Sequence, residues 1–272
     1  MLLGYNTNGF AHHTLPDTLI VLGELGYRSV AITLDHHVLS PAQNATWSTG
    51  IEMTRNHLEP YGMRCVIETG ARFYLDIWRK HQPTLLKNDN AHSMSVREKS
   101  IALAHQLSAD AVSFWSGTDL ESTDESTLWN RLTTSCQQLC KYAEQHNVRL
   151  AFEPEPGMFI DTMDRFEELV NRVQHPLFGL TLDVGHLHCL GETPIASHIH
   201  RWRDLLWNVH IEDMKAGVHD HLMFGEGEMS FPPIFEALRE IDYRGGIHVE
   251  LSRHSHNAVE TARTALQFLR SL

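Results

Sequence analysis

Cysteine is scarce: Cys65, Cys136, Cys140 and Cys189 are the only four in 272 residues. Their irregular spacing excludes a disulfide-stapled scaffold. Cys136 and Cys140 lie one helical turn apart in SCQQLCKYAEQH, but no further Cys or His stands in register, so core packing is their expected role. No apolar run reaches the roughly 18 residues of a membrane-spanning helix. The opening MLLGYNTNGF has no basic region followed by an apolar segment and a cleavage site, so no signal peptide is expected and a reducing cytoplasm is the default. Positive charge is short as well, with 22 Lys and Arg against 34 Asp and Glu and a net charge of −12. The densest basic stretch, RWR at 201–203, is interrupted by Trp202, so a nucleic-acid partner is not expected. No GxGxxG follows any apolar run, which removes the main sign of a dinucleotide cofactor. Linkers, low-complexity tracts and short repeats are missing too, and residues 1–272 read as one domain.

What the chain does have is a recurring ending. AFEPEPG (151–157), LTLDVGH (180–186), NVHIED (208–213) and IHVELSR (247–253) are apolar β-type runs that break off at Glu153, Asp183, His210 and Glu250. Spacings of 30, 27 and 40 residues between them match one strand–helix unit each. The chain divides into eight such units, from LLGYNTN with its helix HTLPDTLIVLGELGY to IHVELSR with NAVETARTALQFLRSL. The second unit ends its strand at Asp35-His36-His37 and places a helix at roughly 45–61; the third is followed by a long loop over 71–93 and a helix over 95–108. Strict alternation implies a parallel sheet, and eight units favour a closed (β/α)8 TIM barrel.

In such a barrel the strand C-termini converge on one mouth. Four acidic and imidazole groups meeting there repel one another unless a cation sits among them. Glu153, Asp183, His210 and Glu250 are therefore expected to hold a hard or borderline divalent ion. One nitrogen of His210 would bind the ion while the other is held by a second acceptor. Glu153 and Glu250, reaching in from opposite sides, are the expected acid–base pair, one taking a proton from carbon and the other returning it. In DVGH, Gly185 is expected to turn the chain so that His186 reaches substrate from a loop. His219 and His221 in VHDHLMFGEGEMSF supply substrate contacts or further metal ligands; Arg253 and Lys215 are candidate contacts to substrate oxygens. Trp202, Trp207, Phe73 and Trp78 are candidates for a lid or a homo-oligomer interface.

DVGH, the histidine closing the seventh strand, the GEG turn and the terminal VEL glutamate appear in the order found in the xylose isomerase-like barrel superfamily. The chain resembles in particular its sugar-phosphate isomerase/epimerase branch. That resemblance implies one Mn²⁺, Mg²⁺, Co²⁺ or Zn²⁺ ion on Glu153, Asp183, His210 and Glu250, Glu153 and Glu250 as catalytic pair, and His186 as a substrate-contacting histidine. It implies a ketose, keto-cyclitol or related polyol as substrate, isomerised or epimerised through an enediolate. A keto-sugar, keto-cyclitol or dehydroshikimate-like lyase or dehydratase is the second reading, and a non-catalytic metabolite-binding barrel a third. The superfamily also holds endonuclease IV-type enzymes with an Asp-x-His metal pair where His219 and His221 stand, which leaves room for a second metal. The ends VIETG and VSFWSG lack the histidines of such nucleases, and many relatives carry a lysine before the Asp where this chain has Ile-Glu-Asp after His210.

Overall fold

The computed structural model describes residues 1–36, 38–40 and 47–272, without the side chain of Trp47. His37 and the first two residues of the helix expected from position 45 lie outside the described residues. Eight parallel strands close into a barrel: β1 (Leu2–Asn6), β2 (Ser29–Thr33), β3 (Arg64–Glu68), β4 (Val112–Phe114), β5 (Leu150–Phe152), β6 (Phe178–Asp183), β7 (Leu206–Ile211) and, after an antiparallel hairpin of β8 (Asp213–Lys215) and β9 (Val218–Leu222), β10 (Gly246–Val249). The ring closes where β10 pairs with both β1 and β7. Strands such as β2, β6 and β10 are buried along their whole length, as parallel strands covered on both faces must be.

Helices α1 (Leu15–Leu25), α2 (Trp47–Leu58), α3 (Ala91–Leu107), α4 (Glu125–His146), α5 (Met163–Val173), α6 (Val184–Leu190), α7 (Ile195–Trp202), α8 (Pro232–Glu240) and α9 (Ala258–Leu269) follow the strands. Local chemistry sets their ends. Thr14, Asp124 and Thr162 accept backbone N–H groups at the starts of α1, α4 and α5, and Gly26 closes α1 at φ 108°, where a side chain would be strained. Cys136 and Cys140 are buried on α4 in the core, as their spacing suggests.

The β8–β9 hairpin is a departure from the expected plain loop. Asp213 builds it: its carboxylate accepts N–H bonds from Met214, Gly225, Gly227 and Met229 at 2.8–3.1 Å. A Cβ on Gly227 would stand 2.2 Å from Asp213 Oδ1, so only glycine lets the GEG turn wrap that closely.

Beneath the barrel mouth lies a polar chain. Ser29 bonds His248 Nε2 at 2.8 Å, His248 Nδ1 bonds Asn208 Oδ1 at 2.7 Å, and Asn208 Nδ2 donates to Glu68 at 3.1 Å. Burial pushes His248 down to about 3, so its ring is neutral and donates one proton to Asn208 while accepting from Ser29. Gly4 and Gly246 leave space for this ring, since a Cβ at either would lie 2.4 or 2.3 Å from an imidazole carbon. Gly4→Ala is expected to destabilise the fold by about 1–3 kcal/mol through overpacking. Denaturant titration reads this directly, and an unchanged midpoint would show that the ring moves aside freely.

Candidate metal centre

The strand ends come together. Ligand atoms of Glu153, Asp183, His210 and Glu250 all lie within 4.8 Å of one another. Glu153 directly follows β5, Asp183 and His210 are register partners near the ends of β6 and β7, and Glu250 follows β10. The two glutamates do not face each other across the barrel as expected. They meet at one atom, His210 Nδ1, at 3.0 Å from Glu153 and 2.9 Å from Glu250. Only β6 and β7 separate their strands, so the pair flanks one arc of the mouth.

The polar chain decides which His210 nitrogen is offered. Nε2 lies 2.9 Å from Glu68 Oε1 and is held there as a donor, so Nδ1 is the atom turned toward the other three groups. Glu68, the end of VIETG, is thus the second acceptor expected for His210. It repeats at the end of β3 the pattern of an apolar run ending in an acid, a signal present in VIETG itself.

Asp183 divides its two oxygens between tasks. Oδ1 caps α6 by accepting the His186 N–H at 2.9 Å, whereas the buried Oδ2 has no hydrogen-bond partner. An unpartnered carboxylate oxygen facing three other ligand groups fits a cation site, because leaving it unpaired is costly. The residues present therefore suit a divalent ion.

DVGH works differently from the expectation of a sharp turn. His186 sits in the first turn of α6, not on a loop, and Gly185 is there to make room: its Cβ would lie 1.9 Å from Glu212 Oε1. Glu212 is itself fully buried, with both oxygens unpartnered, and the sequence reading did not single it out. Burial and the Asp183 carboxylate push it well above the usual carboxylate range, as burial and Glu153 do for Glu155.

Electrostatics split the catalytic candidates. Burial raises Glu153 to about 8. For Glu250 burial, the largest single influence, is outweighed by the His210 charge and hydrogen bond together with the His221 and His186 charges, which hold the carboxyl below its ordinary value. His210 is raised well above 6.5, its burial cost being outweighed by Glu153, Glu68 and Glu250. Asn8 Nδ2 donates to Glu250 Oε1 at 2.7 Å, fixing its orientation.

His186, His219 and His221 form a second cluster beside the first, also with nitrogens within 4.8 Å. His219 Nε2 lies 3.1 Å from His186 Nε2 and 3.3 Å from His221 Nε2. Burial lowers His186 to about 4 and lowers His219 as well, so both rings are neutral near pH 7 and able to act as ligands.

The remaining candidates scatter. Arg253 lines the cavity above the centre, yet it is exposed and paired with Asp220 at 2.6 Å, a rim ion pair. Lys215 is exposed in the hairpin and Trp202 is core, edge-on to Phe166 at 5.0 Å. Trp207 lies under the Arg149 guanidinium. Phe73 and Trp78 are exposed on the loop between β3 and α3, which ends before Ala91 rather than at the expected 93 and also supplies Arg72, Lys80 and His81 to a cavity of about 280 Å³ over the centre.

A family model for the xylose isomerase-like TIM barrel matches residues 21–272. The chain belongs to that family. An inosose dehydratase of Clostridium beijerinckii is 27% identical to this xylose isomerase-like barrel over 161 residues, 52% of the chain and 54% of that protein. The chain thus spans about half the length of that curated relative. Among solved structures, D-allulose 3-epimerase from Methylomonas sp. superposes with a TM-score of 0.79 at 18% identity, covering 100% of this chain and 97% of that one. The IolI protein, solved with a binding zinc atom, gives 0.79 at 17% identity with the same coverage, 100% and 97%. Likeness at that identity shows the barrel fold. No helix among the described residues is long and apolar enough to cross a membrane.

Proposed function

We propose that this barrel is a divalent-metal-dependent isomerase or epimerase of a ketose, keto-cyclitol or related polyol. The observation that carries the reading is the meeting of Glu153 and Glu250 at one histidine nitrogen, with the unpartnered oxygen of Asp183 completing the set. An ion of the Mn²⁺, Mg²⁺, Co²⁺ or Zn²⁺ type held by these four residues would bind vicinal substrate oxygens and offset the charge that develops when a proton leaves carbon. Glu250, the carboxylate kept ionised, takes the proton from the carbon beside the carbonyl. Glu153, ionised once the ion is bound, relays a proton from solvent to the resulting enediolate. Asn8 aims Glu250, and Glu68 keeps His210 in one tautomer. His221, on the cavity wall, contacts substrate, His186 is buried behind His219, and the three together offer an all-imidazole set for a second ion.

A lyase is the second reading. It is favoured by the inosose dehydratase relative, and by Glu155, a carboxyl on the cavity wall raised well above its ordinary value and so a candidate to give a proton to a leaving hydroxide. Turnover in D₂O after Mn²⁺ loading separates the two. An epimerase places deuterium at the carbon beside the carbonyl of a recovered or epimerised ketose, whereas a lyase releases an unsaturated product. Absence of any bound divalent ion by elemental analysis, even after Mn²⁺ soaking, would refute both.

A further inference from the structure

Arg97 on α3 is 4% exposed and has no carboxylate partner among the described residues. The undescribed positions, His37 and PAQNAT at 41–46, contain no acidic residue either. Its Nη1 donates to Ser93 O at 3.1 Å and Ser93 Oγ at 2.6 Å, its Nε is buried without a partner, and the guanidinium lies 5.9 Å from the ring centre of Trp115. Cys136, whose thiolate would favour the Arg97 charge, is no counter-ion, because burial pushes its thiol well above 9 and keeps it neutral. Arg97 itself falls only to about 10 and remains a cation at neutral pH. A buried charge that is neither paired nor neutralised is costly, so something should face it.

Beside it is a partly open space. A small cavity of about 20 Å³ is bounded by Arg97, Thr69, Tyr74, His81, Gln82 and Trp115. That volume holds one water-sized group, too little for a phosphate or sulfate. Ala71, His81 and Trp115 also bound the larger cavity over the metal centre, so the two spaces share a wall.

We propose that this cavity is a site for a small monovalent anion, a halide or one inserted oxygen of a carboxylate, held by the Arg97 guanidinium. Charge-assisted bonds from the guanidinium edge that bounds the cavity would supply the missing counter-charge. The occupant would lie directly behind His81 and Trp115 and fix that part of the reaction cavity's wall.

The test follows the thermal midpoint of the full chain at constant ionic strength, with bromide or formate replacing gluconate. Each small anion that binds raises the midpoint saturably, by about 3–6 °C once it exceeds its Kd tenfold; bromide alone marks a halide site, formate alone a carboxylate-selective one. Arg97→Met should abolish the response, and a response that survives the change would place the anion elsewhere, the metal centre included, and overturn the proposal. So would no response to either anion in the wild type. If Arg97→Met fails to fold, anomalous scattering from bromide-soaked wild-type crystals decides the matter: a bromide peak beside the guanidinium supports the site, and a water there refutes it.

Discussion

Glu250→Gln is expected to lower kcat by about 10²–10⁴-fold, the usual contribution of a positioned acid–base group. Its carboxylate lies 2.9 Å from His210 Nδ1 and is aimed by Asn8, so the amide keeps one oxygen donor in place while losing the capacity to take a proton. The diagnostic pairing is elemental analysis with solvent exchange. A variant that still binds Mn²⁺ but no longer incorporates deuterium marks Glu250 as a proton-transfer group rather than a ligand alone. Full exchange in Glu250→Gln would remove it from the reaction. Glu153→Gln is expected to act similarly, with one difference. Because Glu153 is the group assigned to the return step, its loss should spare the first proton abstraction and block the return. Washout of deuterium from labelled substrate, measured without net epimerisation, would report that split.

Metal loading should be strongly pH-dependent and should release protons. His210 is raised well above 6.5 and Glu153 to about 8, so near pH 7 the metal-free centre holds protons at both groups. An ion can use Nδ1 and the Glu153 oxygens only after those protons leave. Protons and metal therefore compete, and affinity falls as pH falls, by up to about tenfold per pH unit for each proton displaced. Above about pH 8 the Glu153 share of this dependence is gone, while that of His210 continues to higher pH. Calorimetric titration of Mn²⁺ in buffers of different ionisation enthalpy counts the protons. A heat independent of buffer at pH 7 would show that the metal-free centre is already deprotonated.

The barrel was legible because a parallel strand buried on both faces writes itself as a short apolar run, and its ending shows where the mouth is. Glu153, Asp183, His210 and Glu250 stood out for that reason, and their ligand atoms do converge. What stayed hidden depends on the third dimension. Glu212 is adjacent to predicted residues, yet only the glycine at 185 reveals that its side chain turns inward beside Asp183. Asn208 and His248 look like ordinary polar interruptions of β7 and β10 until their hydrogen bonds connect the barrel floor, through Glu68, to His210. The arc shared by the two glutamates could not be read either, since spacing along the chain gives strand order but not which atom two carboxylates will share.

Asp213 gives the hairpin a property that matters for changing this protein. Four backbone N–H groups hang on one carboxylate at the hairpin's base, while Ala216 and Gly217 at its tip are exposed. Anchoring is thus concentrated at one end and free length at the other. The two histidines on β9 sit between them, carried on a bracket whose outer end is an insertion point: residues added there extend the rim while the bracket's bolts stay fastened.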